Sequence, residues 1–304
     1  MLESGLYNVD CFDGLREIND KSIDLVLTDP PYNIGIAEWD KIPDYINWCG
    51  RWIKQCERVL KNTGSFYFWH SDMFQLSQLM EWIRINTKFA FNSFIIWDKG
   101  NFRSLSWKNP SQESDLRSWF NTCEYCVFFT LQSIDGSTKE NDKESGYYSK
   151  CIYPIREYIR NAIIKKDGEI ILKKINRLLG TADNGGGVAS SILSIEKEKP
   201  CMITKQHYEI LRREYEDLRR EYEDLRFIHN LEKDHNNVWR CETENKIHIC
   251  EKPQSLLTKI IRCSTNSGGI VLDLFAGSAS TAIAAHRTGR KYICFEKDAD
   301  YYKA

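Results

Sequence analysis

Four consecutive residues, Asp29-Pro30-Pro31-Tyr32, join a carboxylate, two ring-locked prolines and a flat aromatic side chain. They follow Ile23-Asp24-Leu25-Val26-Leu27-Thr28, an apolar run rich in strand formers and closed by a breaker pair. Proline fixes φ and has no N–H, so the pair makes a stiff turn with bare carbonyls. The segment offers two acceptors, one charged and one backbone, beside a ring face. That is a grip for a planar group bearing an NH2. The alternative is an ordinary strand-ending turn, since Asp-Pro and Pro-Pro are common turn signals. A second chemical motif stands near the C-terminus, where the apolar Val271-Leu272-Asp273-Leu274-Phe275 runs into Ala276-Gly277-Ser278-Ala279-Ser280-Thr281. Small residues let backbone N–H groups approach a ligand, and the helix they open favours an anion at its N-terminus. The next strand ends at Glu296, where a carboxylate can take both hydroxyls of a ribose. No G-x-G-x-x-G is present, which speaks against NAD or FAD.

The elements that must position these residues alternate along the chain. Strands are expected at Leu6–Asp10, Asp24–Thr28, Ser65–His70, Phe91–Asp98 and Tyr125–Leu131, with helices at Ile42–Leu60 and Asp72–Ile85. A second such stretch has strands Ile270–Phe275 and Lys291–Glu296 around an Ala-rich helix, Ser280–Arg287. This alternation predicts an α/β fold with a mostly parallel sheet covered by helices. Ligand crevices of such sheets lie at the carboxyl ends of the strands, where both motifs fall.

The 304 residues allow one large α/β domain plus an insert, and 42% hydrophobic with 28% charged residues is globular composition. No apolar run approaches the ~18 residues of a membrane span, and the N-terminus shows no signal-peptide h-region. Eleven scattered cysteines predict a reducing, cytoplasmic setting. The formal net charge of −1 means that any nucleic-acid surface must be local.

Such a surface is suggested between about 132 and 247. Residues 150–177 hold eight Lys or Arg against three acids, with helical spacing. A Gly-rich break at Asp183–Gly187 separates them from a possible short helix at Val188–Leu193, an arrangement like a helix-turn-helix with a long turn. A plain helical hairpin with a solvated basic face is the competing description. Next comes a heptad repeat, 207–227, whose Tyr208, Leu211, Tyr215, Leu218, Tyr222 and Leu225 form one seam. It reads either as a dimerisation helix or arm along DNA, or as an amphipathic helix packing on its own domain.

Together these motifs make the chain resemble the β-class, permuted amino-group DNA methyltransferases, in which Asp-Pro-Pro-Tyr precedes the S-adenosylmethionine turn. Further elements carry the likeness: Asn8-Val9-Asp10-Cys11, Arg58–Lys61 with Gly64–Phe68, Ile95–Asn101, Glu124–Phe129, His248–Pro253 and Glu296–Tyr301. The resemblance implies a Rossmann-like seven-stranded sheet. It divides the chain into a catalytic part at 1–131, a target-recognition insert at 132–247 and a cofactor part at 248–304. It implies N6-adenine methylation of DNA with S-adenosyl-L-methionine and no metal. Asp29, Pro30, Pro31 and Tyr32 are then catalytic: Asp29 and the Pro30 carbonyl hold the two amino hydrogens and Tyr32 stacks on the base. Asp10, Lys252, Asp273, Phe275, Ala276, Gly277, Ser278, Ala279 and Glu296 become cofactor residues. Trp39, in a loop placed to close over the base, joins Lys99, Asn101, Arg156, Arg160, Lys165, Lys166, Lys173, Lys174 and Arg177 as DNA-contact candidates. A homodimer through 207–227 or the catalytic domain is a further expectation.

Two departures stand out. Ala279 and Ser280 replace the last two residues of the family's Gly-Ser-Gly-Thr turn, and the lysine-proline element lacks its usual threonine-glutamine. Cytosine N4 methylation, or a catalytically silent DNA-binding protein of the same fold, are the alternatives. Cys123-Glu-Tyr-Cys126 has metal-like spacing, with His248-x-Cys250 as further ligands, but an apolar strand pattern favours core packing. His70, alone after a strand, reads as structural.

Overall fold

The computed structural model describes residues 2–100, 122–131, 154–182, 187–193, 203–218, 236–241 and 251–303. The chain divides into two compact units, Met1–Leu131 with Ile228–Ala304, and Gln132–Phe227. The first is built on a sheet of eight strands: β1 (Gly5–Asn8), β2 (Ile23–Thr28), β3 (Leu60–His70), β4 (Phe89–Asp98), β5 (Cys123–Leu131), β6 (Val238–Arg240), β7 (Ile270–Asp273) and β8 (Lys291–Glu296). Their spatial order is β1-β8-β7-β2-β3-β5-β4-β6. Among the described strands only β5 runs against its neighbours. The expected seven strands are all present, and β6 is an added three-residue edge that pairs with β4. That edge strand lies in the stretch expected to belong to the insert.

The sheet is covered on both sides because its strands alternate. Val26, Phe66 and Phe68 face a core shared with α1 (Cys11–Arg16), α2 (Tyr45–Val59) and α3 (Met73–Asn86). Leu25, Leu27, Tyr67 and Trp69 face the opposite core, filled by α8 (Gln254–Ser264) and by Ala284 and Ala285 of α9 (Ser280–Arg287). A strand buried on both faces reads as a continuous apolar run, which is why β2 was visible in sequence. The sequence pattern did not single out α1, α8 or a terminal helix, α10 (Ala299–Lys303).

β2 and β7 run side by side where the chain order turns in opposite directions, the position at which open α/β sheets bind ligands. Two side-chain bridges lock this seam. At its amino end, Asp24 accepts from the Ile270 N–H at 2.9 Å and pairs with Lys61 at 2.8 Å. At its carboxyl end, the Thr28 hydroxyl donates to Asp273 at 2.8 Å. Both chemical motifs therefore leave the sheet from adjacent, tied strands.

The second unit holds α4 (Pro154–Asp167), α5 (Leu172–Leu178), α6 (Gly187–Leu193) and α7 (Lys205–Glu214). Ile159, Ile163, Ile175, Ile192, Tyr208 and Leu211 make its core. Buried Asn176 ties α5 to α6, its side-chain oxygen accepting from the Ala189 N–H at 2.9 Å. The heptad seam does not stay helical. α7 ends at Glu214, Tyr215 turns extended, and Tyr208, Leu211, Tyr215 and Leu218 all enter this unit's own core. Along the described part of the repeat, the amphipathic-packing reading replaces an exposed seam; residues 219–227 lie outside the described residues. Among the described residues no helix is long and apolar enough to cross a membrane.

Candidate active site

Asp29-Pro30-Pro31-Tyr32 leaves the carboxyl end of β2 and is held from behind by a chain of hydrogen bonds. The Asp72 N–H donates to His70 Nδ1 at 3.0 Å, so Nε2 carries the ring proton and donates to the Tyr45 hydroxyl at 3.0 Å. Tyr45 in turn donates to the Pro31 carbonyl at 2.7 Å. Burial pushes His70 down to about 4, which keeps the imidazole neutral and the chain's direction fixed near neutral pH. The Tyr32 ring lies over His70 with centroids 4.9 Å apart, and Gln75 donates to the Tyr32 carbonyl at 3.0 Å. Among the described residues, Pro30 is the one of these two prolines whose carbonyl accepts nothing from the protein. A free carbonyl thus stands beside Asp29 while its neighbours are occupied. His70 and Tyr45 do not announce this role in sequence, because the partners are three elements apart.

Asp29 has company of its own. Its carboxylate accepts from the Tyr32 hydroxyl and pairs with the Lys252 ammonium. Lys252 also lies 3.2 Å from Glu124 Oε2, and Glu124 pairs with Lys99. These four groups alternate in charge and sum to zero. Burial is the largest influence on Asp29 and pushes its carboxyl up, with Lys252 pulling it back. At Glu124 burial also opposes ionisation, yet Lys252 and Lys99 together hold the carboxyl below its usual range. Lys99, expected at DNA, is only 6% exposed; its ammonium serves Glu124 and the Trp97 ring rather than an approaching phosphate. Lys252, expected at the cofactor, lines the same cavity as Glu296 and within it pairs with Asp29. Glu124 was missed as a site residue, although it stands in one of the motifs.

The loop after Tyr32 folds around one buried carboxylate. Asp40 accepts from the backbone N–H groups of Asn33, Ile34 and Ile36 at 2.7, 2.9 and 3.2 Å. The Asn33 side chain accepts from the Ile42 N–H at 2.8 Å. Trp39 sits on the resulting turn, partly exposed and facing the same cavity.

That cavity, of about 540 Å³, is within the usual range for small-molecule sites and runs from Asp29 to Glu296. Each Glu296 oxygen takes one backbone N–H, from Gly277 at 2.7 Å and Asp298 at 2.8 Å. A carboxylate has about four lone-pair positions, so acceptor capacity remains for ligand hydroxyls. Asp10 caps α1 and pairs with Lys297 at 3.2 Å, while the Trp48 and Phe275 rings pack at a tilt, centroids 5.6 Å apart, as an apolar wall. Asp273 is buried and its carboxyl is pushed up to about 6. Ala276, Ser278 and Ser280 line the turn between them. An end rich in acceptors, an apolar wall and a small-residue turn fit a nucleoside bearing an amino acid. Among the described residues no cluster of three His, Cys, Asp or Glu is placed to hold a metal. Cys126 is buried in the sheet core, and His248 and Cys250 lie outside the described residues.

Ala279 occupies the turn with φ 58° and ψ 25°, the left-handed region. The glycine of the family's turn would adopt this freely, whereas an L-residue costs about 1–2 kcal/mol. The added entropy of an unfolded glycine offsets about 0.5–1 kcal/mol of that. Ala279→Gly is therefore expected to raise the unfolding free energy by up to about 1.5 kcal/mol in denaturant titration. A loss of stability would show that the alanine is unstrained.

In the helical unit the basic candidates divide. Arg156 is 1% exposed, so its guanidinium belongs to the interior rather than to an approaching phosphate. Arg160 donates to the Leu193 carbonyl at 2.6 Å. Lys165 pairs with Asp217, Lys166 with Glu214 and Lys174 with Asp167, at 3.0, 2.8 and 2.7 Å. Acids of the following segment thus partly neutralise the basic stretch. The Lys165–Asp217 and Lys166–Glu214 pairs are solvent-exposed, and such pairs are weak and exchangeable. Lys173 and Arg177 are exposed, and Asn101 lies outside the described residues.

Comparison with known proteins gives concordant results. The family model described as DNA methylase, N6_N4_Mtase, matches residues 23–304. The type II methyltransferase M1.MboII of Moraxella bovis is 24% identical over 99% of this chain and 95% of its own length. The DNA adenine methyltransferase YhdJ of Escherichia coli K12 is 27% identical over 95% of this chain and 76% of its own. Among solved structures, the cytosine-N4-specific PvuII DNA methyltransferase superposes with a TM-score of 0.56 at 16% identity, covering 99% of this chain and 84% of its own. The complex of M1.HpyAVI with SAM gives 0.51 at 16% identity, over 98% and 96%.

Proposed function

The chain belongs to the N6/N4 DNA methylase family, and from that membership we propose that it methylates the N6 amino group of adenine in DNA, using S-adenosyl-L-methionine. One observation carries the proposal: an ionisable acceptor, Asp29, and an unclaimed carbonyl, Pro30, beside a fixed ring at one end of a cavity whose other end is Glu296. Adenine N6 is a poor nucleophile because its lone pair is delocalised into the ring. With one amino hydrogen on Asp29 and the other on the Pro30 carbonyl, the nitrogen can turn tetrahedral and present that pair. Tyr32, braced by His70, gives the base a face to lie on. S-adenosylmethionine supplies, when bound, the electrophilic methyl group. Glu296 would hold its ribose, Asp10 would serve its adenine, and the turn from Phe275 to Ala279 would take its amino-acid end. The protein's contribution is orientation and electrostatics, and the surplus N6 proton leaves to solvent.

A base inside a duplex cannot reach this grip, so the target is flipped out or presented single-stranded, with the Asp40 loop and Trp39 covering it. Lys173, Arg177 and the lysines of exchangeable pairs contact phosphates, which makes binding steeply salt-dependent despite the near-neutral chain. The setting is the cytoplasm of a prokaryotic cell or of a phage-infected host, where the enzyme serves restriction-modification or acts as an orphan or phage modification enzyme.

Adenine is favoured by aspartate at the first motif position and by the name of the E. coli relative. Cytosine N4 is the second reading, since its amino group fits the same acceptors and the PvuII structure is of that specificity. Long-read modification mapping of DNA from an expressing host distinguishes them: N6-methyladenine in one sequence context is expected, N4-methylcytosine would move the substrate assignment. Absence of any tritium transfer from labelled S-adenosylmethionine to varied unmethylated DNA would sink the enzyme reading.

A further inference from the structure

The lysine that precedes α8 has no evident task in the reaction as drawn, yet it is buried at its centre. Lys252 is 5% exposed, pairs with Asp29, and lies 5.6 Å from the ring centres of Tyr32 and Trp69. It therefore occupies acceptor capacity of the carboxylate that the target amino group must use. A second acceptor waits beside it. Glu124 Oε2 is buried and already lies 3.2 Å from the Lys252 ammonium, a looser ion pair than the one Lys252 makes with Asp29. The other Glu124 oxygen is held by Lys99, which fixes the carboxylate in place. One ammonium therefore bridges two buried carboxylates, and its closer hydrogen bond goes to Asp29.

We propose that Lys252 is a positioning residue that holds Asp29 ionised and aimed into the cavity until a target amino group arrives, and then shifts its hydrogen bond to Glu124 Oε2. The inference rests on the methyltransferase reading for the identity of the arriving group. Its electrostatic half does not, because the pairing exists in the protein alone. The shift needs no proton transfer and no net charge movement out of the site. An ammonium with three donors can share them between two carboxylates. Without Lys252, burial and the facing charge of Glu124 would both drive Asp29 towards its protonated form, which cannot accept on both oxygens. Lys99 and Asp273 are the remaining charged groups around this centre, and the Tyr32 hydroxyl is its neutral donor.

Two variants with opposite expected signs test this. The carboxyl carbon of Asp29, assigned with D29N, is followed by NMR across pH in labelled protein. K252M is expected to raise its midpoint by about one to three pH units, the usual effect of losing an adjacent opposite charge. E124Q, which removes a like charge, is expected to lower it, and K252R to restore the wild-type value. In single-turnover methylation, K252M should move the acid limb to higher pH. On that limb the rate falls about tenfold per unit of displacement, while the loss shrinks towards alkaline pH. Cofactor affinity in K252M should stay within about threefold. An unmoved Asp29 midpoint in K252M overturns the proposal, and so does a pH-independent rate loss accompanied by tenfold weaker cofactor binding, which would return Lys252 to the cofactor. Should K252M not fold, the E124Q and K252R midpoints carry the decision alone. If wild-type protein methylates no DNA, the functional reading fails, and the carboxyl titration still decides what Lys252 does.

Discussion

Replacing Asp29 by alanine is expected to lower the single-turnover methylation rate by about a thousandfold or more, with cofactor affinity changed by less than about threefold. The size follows from what the carboxylate does. Losing a single preorganised partner at a reacting centre typically costs 10²–10³ in rate. Asp29 is the charged one of the two acceptors in the proposed grip, and on that proposal orienting the amino nitrogen is the larger part of the catalysis. Cofactor binding should survive because the end of the cavity proposed to take the ribose is built separately, from Glu296 and its two backbone donors. The fold should survive as well: the seam between β2 and β7 is locked by Asp24 and by Thr28 with Asp273, and Asp29 belongs to neither bridge. Alanine leaves the Lys252 ammonium facing Glu124 alone, a pairing already within 3.2 Å. A variant that binds S-adenosylmethionine normally yet methylates within tenfold of wild type would remove Asp29 from the site.

What sequence could foresee here depended on how far apart the interacting residues lie. The grip and the small-residue turn were legible because each is a contiguous segment whose conformation is set by its own residue types. β2, β7 and β8 were legible for a related reason: central parallel strands are apolar on both faces. The brace behind the grip was not legible. It joins Pro31, Tyr45 and His70 through a loop, a helix and a strand, and no spacing rule connects them. Lys99 shows the same limit in reverse. It follows a strand in a family motif, which suggested an exposed contact, but folding buries it against Glu124 and Trp97. In the helical unit, periodicity correctly marked Tyr208, Leu211, Tyr215 and Leu218 as one apolar set. It could not show that the helix stops at Glu214 and that the set closes its own core. Charge counting overstated the basic surface, because the partners of Lys165, Lys166 and Lys174 include acids of the repeat and Asp167.

Asp40→Asn is expected to cost about a hundredfold in kcat/KM for DNA while leaving the global unfolding midpoint little changed. Asp40 is fully buried, and its two oxygens receive three backbone N–H groups from the segment directly after Tyr32. Hydrogen bonds to an ionised acceptor are worth about 1.5–3 kcal/mol each. Asparagine keeps one oxygen but turns an NH2 towards N–H donors, so at least one backbone donor is left unpaired and faces repulsion. A loss of about 3 kcal/mol confined to this loop would shift its closed form by roughly two powers of ten, since 1.4 kcal/mol is about tenfold. The sheet feels little of this, because the three donors all belong to the loop itself. Tyr32 does feel it: the loop begins at its carbonyl, which Gln75 holds from the other side. Limited proteolysis should therefore cut the variant between 33 and 42 faster than wild type, and the rate loss should exceed any change in cofactor affinity. Wild-type cleavage with a wild-type rate would mean that the buried carboxylate is not what keeps the loop over the target base.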